Sequence, residues 1–308
     1  MMRRSQPCVT QGCFDVFLRC VDEQGFASRV RAGAIPMSTR VGVFVDFANI
    51  AMNGGYGLRA DLLRRFAARD GGMMVRMNAY LPYDATRAES DGAYRAGQMR
   101  FHDALRENGY KVIPKTVRWF EDAQGVRQAK ADCDMDIAMD VIEQADRLDT
   151  VLLASGDGDF VRVVELVQTK GARVEVIAFR NVSRRLRSVA DSFTSGYLVP
   201  GLVPQDRERQ SREWGVLGGY ARGVCYQFEN GFGFIRFMPR IAGNLWVSDS
   251  RDPQSPWQTC FVHGSQLPAG LNAEALPSRD IVLEFDLEEG DAPGRLKAVN
   301  LSVPGQQV

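Results

Sequence analysis

Histidine, lysine and paired cysteine are what this sequence has little of. Its 308 residues include two histidines, His102 and His263, and six cysteines, at positions 8, 13, 20, 133, 225 and 260, with no Cys-x-x-Cys among them. Such a set excludes a structural zinc site built from clustered thiolates and imidazoles, and it offers no disulfide framework. The same scarcity leaves little room for catalysis by a pair of histidines. No run of about 18 uncharged apolar residues is present, so no membrane span is expected. Neither charge is in excess: Lys plus Arg and Asp plus Glu number 38 each, and only five of the cations are lysine. A polyanion must therefore be met by a local patch rather than by bulk charge. Arginine in place of lysine is what a GC-rich bacterial genome produces. Carboxylate is abundant, and it is clustered.

A chain of this length suggests two domains. Residues 1–36 hold three of the cysteines, show no sustained period and lack the apolar centre of a signal peptide. They are read as a disordered or mis-assigned N-terminal extension ahead of Met37, with an interaction tail as the alternative. From 37 to 199 strands alternate with helices, which predicts an α/β domain with a parallel sheet covered by helices. The strands fall at 41–46, 73–81, 110–114, 149–154 and 173–179. Helices are expected over Leu58–Arg69, Thr86–Asn108, Asp134–Ala145 and Phe160–Lys170, with Gly71, Gly109 and Gly171 as terminators. Residues 200–214, with Pro200, Pro204 and a polar string from Gln205 to Gln210, read as a linker that buries nothing. Short aromatic strands over 215–308 predict a small all-β barrel.

In a parallel sheet, ligands gather beyond the carboxyl ends of the strands. The first strand ends in Val45-Asp46-Phe47-Ala48-Asn49, and the fourth runs into Ser155-Gly156-Asp157-Gly158-Asp159-Phe160. Asp46, Asp157 and Asp159 thus reach one edge, and Gly156 and Gly158 are expected at positive φ, turning both later acids inward. A further acid comes from Lys130-Ala131-Asp132-Cys133-Asp134-Met135-Asp136. At about 100° per residue Asp134 shares the apolar stripe of Ile137, Ala138, Val141, Ile142 and Ala145. Asp132, Asp136 and Asp140 fall on solvated sides. Four converging carboxylates repel one another unless a cation intervenes, and all-oxygen donors suit Mg²⁺ or Mn²⁺. Such ions activate water and offset charge on a phosphodiester under attack.

Plainer uses stand beside these. Asp157 or Asp159 is placed to cap the helix from Phe160, though capping occupies only one of them. Asp46 also suits an ordinary turn, and Asn49 either a bound water or phosphate or a cap. Asn181-Val182-Ser183-Arg184-Arg185-Leu186-Arg187 puts three guanidiniums within two helical turns, as a phosphate clamp through Arg184 and Arg185 or as a solvated helix face.

Val43 to Ile50, Lys130 to Asp140 and Leu152 to Phe160 resemble, in order, spacing and strand context, the NYN domain of the LabA-like group, a branch of the PIN-like nucleases. The resemblance covers about 41–199, and Ser155-Gly156-Asp157-Gly158-Asp159-Phe160 is its most specific part. It implies a PIN-like fold, Mg²⁺ or Mn²⁺ held by Asp46, Asp134, Asp157 and Asp159, Asn49 as a catalytic helper, and RNA cleavage. Phe47-Ala48 departs from the small or acidic pair usual in that family, and Phe47 is expected to narrow access.

In Gly231-Phe232-Gly233-Phe234-Ile235 alternation places Phe232 and Phe234 on one face, and Phe261 and His263 share a face in Cys260-Phe261-Val262-His263. Adjacent strands with outward rings would form a platform for unpaired bases; the alternative is that the rings are core. The two segments and the strand near Ala298-Val299-Asn300 resemble a cold-shock domain, an OB-fold barrel, over roughly 215–303. Seven Lys and Arg against ten Asp and Glu over 215–308 weaken backbone attraction, and Trp246 and Trp257 in a long insertion, Met238–Thr259, are candidate compensating rings.

The two resemblances together imply a cytoplasmic, Mg²⁺- or Mn²⁺-dependent endoribonuclease acting on single-stranded RNA, with single-stranded DNA as a related ligand, no membrane partner and self-association left open. The alternative is a non-catalytic RNA-binding regulator with a vestigial nuclease pocket. A phosphatase with an aspartyl nucleophile ranks last, since it would want Asp-x-Asp where Asp46 is followed by Phe47-Ala48.

Overall fold

The computed structural model describes residues 38–121, 127–130, 132–205, 212–292 and 294–305. The expected extension, 1–36, lies outside the described residues, as does 206–211 of the expected linker. β1 (Arg40–Asp46) is buried from Val41 onward, as a strand covered on both faces must be. It is followed by β2 (Met73–Tyr83), β3 (Lys111–Thr116), an antiparallel ribbon of β4 (Arg118–Glu121) and β5 (Arg127–Lys130), then β6 (Thr150–Ala154), β7 (Arg173–Ala178) and β8 (Ser192–Ser195). Six of these form one parallel sheet in the order β3-β2-β1-β6-β7-β8. The chain winds outward from β1 to β3 and then crosses to β6 on the other side of β1. The switch point of the sheet therefore lies between β1 and β6, where loops diverge and leave a crevice.

The helices are α1 (Phe47–Ile50), α2 (Ala60–Ala67), α3 (Ala85–Ser90), α4 (Gly92–Glu107), α5 (Asp134–Gln144), α6 (Val161–Thr169) and α7 (Arg184–Val189). Leu62, Leu63, Phe66 and Leu105 from α2 and α4 cover one face of the sheet. Ile137, Val141, Val164, Val167 and Leu186 from α5, α6 and α7 cover the other. The single helix expected over Thr86–Asn108 is two, because Asp91 is extended and its carboxylate accepts the Tyr94 N–H at 2.9 Å, starting a new helix. Gly71, Gly109 and Gly171 do end helices, with positive φ.

Beyond Trp214 the chain closes a five-stranded barrel from β9 (Tyr220–Glu229), β10 (Phe232–Phe237), β11 (Gln258–His263), β12 (Val282–Glu289) and β13 (Leu296–Ser302). Around the barrel the order is β9-β10-β11-β13-β12, closing on β9, with β11 and β13 parallel and the other pairs antiparallel. Asn230 and Gly231, both at positive φ, make the tight turn between β9 and β10.

The expected linker is in part a seam. Leu202 and Val203 are buried, and one apolar cluster joins them and α2 to Val224, Met238, Trp257 and Val282 of the barrel region. Trp257, expected as an extra ring for bases, is committed to this core, with its indole N–H donating to the Leu245 carbonyl at 3.0 Å. Polar ties reinforce the seam: the Asn244 N–H donates to Asp70 at 3.2 Å, and the Arg222 guanidinium to the Pro204 carbonyl at 2.9 Å. A barrel joined this way is not a detachable module. Met238→Ala should cost about 2–5 kcal/mol, and calorimetry should show one transition moving down, not a barrel peak shifting beneath an unmoved α/β peak.

Candidate functional site

At the switch point, Val45 of β1 lies beside Ala154 of β6, so the next residues of both strands meet. Asp46 is buried and its Oδ1 accepts the Asn49 N–H at 3.0 Å, capping α1. The Ser155 hydroxyl faces its Oδ2 at 3.4 Å. Asn49 in turn accepts the Gly156 N–H on its Oδ1 at 2.9 Å. The loop after β1 and the loop after β6 are thereby fastened to each other, the Asn49 side chain to the Gly156 backbone and Ser155 to Asp46. The Asp157 N–H donates to the Ser155 hydroxyl at 3.2 Å, and the Asp157 carboxylate accepts the Asp159 N–H at 3.0 Å. Asp157 is thus the capping acid, and Asn49 is a brace between the loops.

Gly156 and Gly158 are not at positive φ, contrary to expectation. What they permit is close approach: a Cβ on Gly158 would lie 2.9 Å from the Ser183 hydroxyl and one on Gly156 3.4 Å from Val182 Cα. The Ser183 N–H donates to the Gly156 carbonyl at 2.9 Å, holding the start of α7 on the acidic loop.

Three of the four expected carboxylates converge. Asp134 opens α5, and burial, a side-chain hydrogen bond with Asp132, and the charges of Asp46, Asp132 and Asp157 push its carboxyl up to about 7. Burial also raises Asp46, against the hydrogen bonds from Asn49 and Ser155, and the charge of Asp157 adds to the rise. Burial and the surrounding carboxylates hold the Cys133 thiol up at about 11, so it stays a protonated thiol. Asp159 is exposed and stands outside this set. Among the described residues, no three Asp, Glu, His or Cys side chains are gathered closely enough to hold a metal ion.

The remaining acids of α5 are not simply solvated. Asp136 pairs with Lys115 at 2.5 Å, a half-exposed contact of small worth. Asp140 accepts the Tyr80 hydroxyl at 2.6 Å and the Asn78 amide at 3.0 Å. Asn78 is wholly buried in β2. A polar residue inside the otherwise apolar, buried stretch Met77–Leu81 is the signal from which this network was readable. Phe47 is buried and meets Phe101 edge to face at 5.5 Å. Together with Tyr56, Leu81, Pro82 and Gln98 they line a cavity of 440 Å³.

On the barrel, Phe232 pairs with His263 and Phe234 with Phe261 across β10 and β11. Gly233, Ile235 and Val262 point inward, and the rings point out. Phe232 stacks on Phe261 at 6.1 Å, and Phe234 meets Phe261 edge-on at 6.1 Å. His263 is exposed and steadied by Ser265, with Nδ1 2.8 Å from the hydroxyl. Trp246 is exposed. Arg184 and Arg185 on α7 are exposed as well. Arg187 is not free: it pairs with Asp280 and lies 4.6 Å over the Phe193 ring.

Residues 40–199 match the NYN domain family. The low amplitude and bright protein LabA of Synechococcus elongatus is 31% identical over 162 residues, which are 50% of this chain and 82% of that protein. Among solved structures, a Vibrio parahaemolyticus protein of unknown function is 27% identical, with a TM-score of 0.42, over 51% of this chain and 93% of its own.

A carboxyl held near 7 in the fold keeps a proton that the unfolded chain, with its ordinary value of 3.8, has already released. Asp134 therefore favours folding least above its folded value, and stability falls as pH rises from about 4 through 7. Asp134→Asn removes that penalty. In EDTA at about pH 8 it should raise Tm by roughly 2–4 °C, and the gain should vanish near pH 4. Thermal melts across that range check it.

Proposed function

Because this chain belongs to the NYN-domain family, we propose that it is a metal-dependent ribonuclease of the PIN-like type, cleaving single-stranded RNA that its barrel grips. The observation that carries this reading is the convergence of Asp46, Asp134 and Asp157 at the switch point of a parallel sheet, where the charge of Asp157 makes Asp46 and Asp134 harder to ionise. Like charges kept together in this way call for a cation, and hard oxygen donors fit Mg²⁺ or Mn²⁺. Asp46, Asp134 and Asp157 would hold the ion, with Asp159 at the rim. When bound, the ion lowers the pKa of a water and offsets charge on the phosphodiester. Asn49 and Ser155 keep Asp46 and the Asp157 loop in register. Arg184 and Arg185 offset phosphate charge beside the acids. Single-stranded DNA offers the barrel the same phosphates and bases.

The barrel's strand order, with its one parallel pair, and the outward rings of Phe232, Phe234 and Phe261 beside His263 support an OB-type, cold-shock-like surface for unpaired bases. Cys225 and Cys260 are free and buried, which supports action in the reducing cytoplasm. Among the described residues no helix is long and apolar enough to cross a membrane. A second reading, an RNA-binding regulator with an inactive pocket, draws support from the lack of a closed metal-ligand group among the described residues.

Labelled single-stranded RNA incubated with the protein and Mg²⁺, Mn²⁺ or EDTA separates the two. Cleavage that needs the metal, and drops at least ~100-fold in Asp157→Asn while RNA affinity holds, is the expected result. Asn at 157 still caps the turn, so the fold is retained. Tight binding without metal-dependent cleavage would establish the regulator instead. Phe232→Ala and Phe261→Ala should each weaken binding by about 1–3 kcal/mol. The double variant should lose less than the sum, because the two rings stack on each other. Anisotropy titrations with RNA in EDTA measure both.

A further inference from the structure

The barrel region has more acid than base, yet its cations are not spread evenly. Of the seven Lys and Arg over 215–308, four, Arg236, Arg251, Arg279 and Arg295, line one groove of 920 Å³. Tyr226 and Phe234 line it too, and Ser248 to Arg251 of the long insertion supply one wall. Two of the arginines are already engaged. Arg251 is held by both oxygens of Asp249 at 2.8–3.2 Å. Arg236 donates to the Ser248 carbonyl at 3.2 Å and lies between the Tyr226 and Trp257 rings. Arg279 and Arg295 are exposed, and among the described residues neither has an ion-pair partner. A neighbouring hollow of 860 Å³ shares Phe234 and Arg295 with the first and reaches Phe261 and Lys297. The groove is therefore continuous with the stacked rings.

From Arg279 a chain of contacts leads to the acidic loop. Asp280, next to Arg279, holds Arg187 of α7. Arg184 and Arg185 open that same helix, exposed and unpaired among the described residues. The residue before them, Ser183, is bonded to Gly156 in the acidic loop. Rings, unpaired guanidiniums and carboxylates thus follow one another along a single line of covalent and hydrogen-bonded neighbours. Rings suit bases, and guanidiniums suit the phosphates between them.

We propose that the arginine groove of the barrel and the exposed arginines of α7 form one phosphate track, along which a single-stranded RNA runs from the stacked phenylalanines to the acidic crevice. The proposal rests on the reading of RNA as ligand and not on its cleavage. The insertion that walls the groove is what gives a barrel of net negative charge a basic path. Arg187, locked to Asp280, sets the helix beside the groove, so the two halves of the track keep a fixed spacing.

The test is RNA binding in EDTA, followed by anisotropy at several salt concentrations with a labelled single strand of about 20 nucleotides, longer than one such barrel covers. Each phosphate contact in a single strand contributes about 0.7 to the slope of log affinity against log salt. Arg279→Ala with Arg295→Ala should flatten the slope by about 1.4, and Arg184→Ala with Arg185→Ala should do the same. Lysine at the same positions should restore most of it. Arg240→Ala, an exposed arginine outside both hollows, should change nothing. With a strand of about 4 nucleotides, which fills only the ring platform, the α7 variant should match wild type. An unchanged slope in the α7 pair with the long strand would overturn the track, as would an unchanged slope in the groove pair. Absence of cleavage with Mg²⁺ leaves these slopes untouched, so failure of the nuclease reading is seen separately.

Discussion

Three carboxylates gathered at one strand edge, where burial and neighbouring charge raise the pKa of Asp46 and of Asp134, set the terms for the rest of this molecule. Asp46, Asp134 and Asp157 come from the ends of two adjacent strands and the head of a helix packed on them, and no arrangement of their own charges favours the gathering. Something else has to hold them. Asn49 links the two strand-end loops, Ser155 touches both Asp46 and the backbone of Asp157, and Ser183 pins the loop from outside. The braces are short polar contacts, side chain to backbone from Asn49 and Ser155, side chain to side chain between Ser155 and Asp46, and backbone to backbone at Ser183, so the repulsion is opposed by hydrogen bonds worth about 1 kcal/mol apiece. The crevice is stiff because several such bonds act at once.

Much of this was legible in the sequence because the sheet is buried on both faces. Continuous apolar runs such as Val41–Val45 and Val151–Ala154 mark central parallel strands, and an acid directly after the first and three residues after the second marks the open edge. Helical spacing likewise singled out Asp134 from its neighbours on α5. Other features were hidden because they depend on partners distant in the chain. Asp140 reads as a solvated residue until Asn78 and Tyr80, some 60 positions earlier, are brought against it. Asp91 interrupts an otherwise regular helix through one capping bond. Glycine between two aspartates reads as a turn former, whereas its use is to let Ser183 come near.

The barrel illustrates the same limit. Alternation of Phe232, Phe234, Phe261 and His263 predicts an aromatic face, and the pairing of β10 with β11 produces one. Composition gave the opposite impression of its electrostatics, since a net count averages over a surface on which the arginines are gathered on one side. Trp257 and the chain around Leu202 show how a polar-looking connection escapes reading: apolar residues there face a partner that only the folded chain supplies. Two architectures that look separable in sequence are welded by the residues between them.

That weld has a consequence for the order of synthesis. When residue 199 has left the ribosome, every candidate acid of the crevice has been made, but the apolar cluster that α2 shares with the sheet still lacks Val224, Met238, Trp257 and Val282. At ordinary elongation rates residues 200–308 take roughly 5–20 seconds to appear. During that interval the part of the cluster that meets the barrel region stays unpacked. The α/β part of the chain thus receives its last apolar packing from residues made after all of its candidate acids.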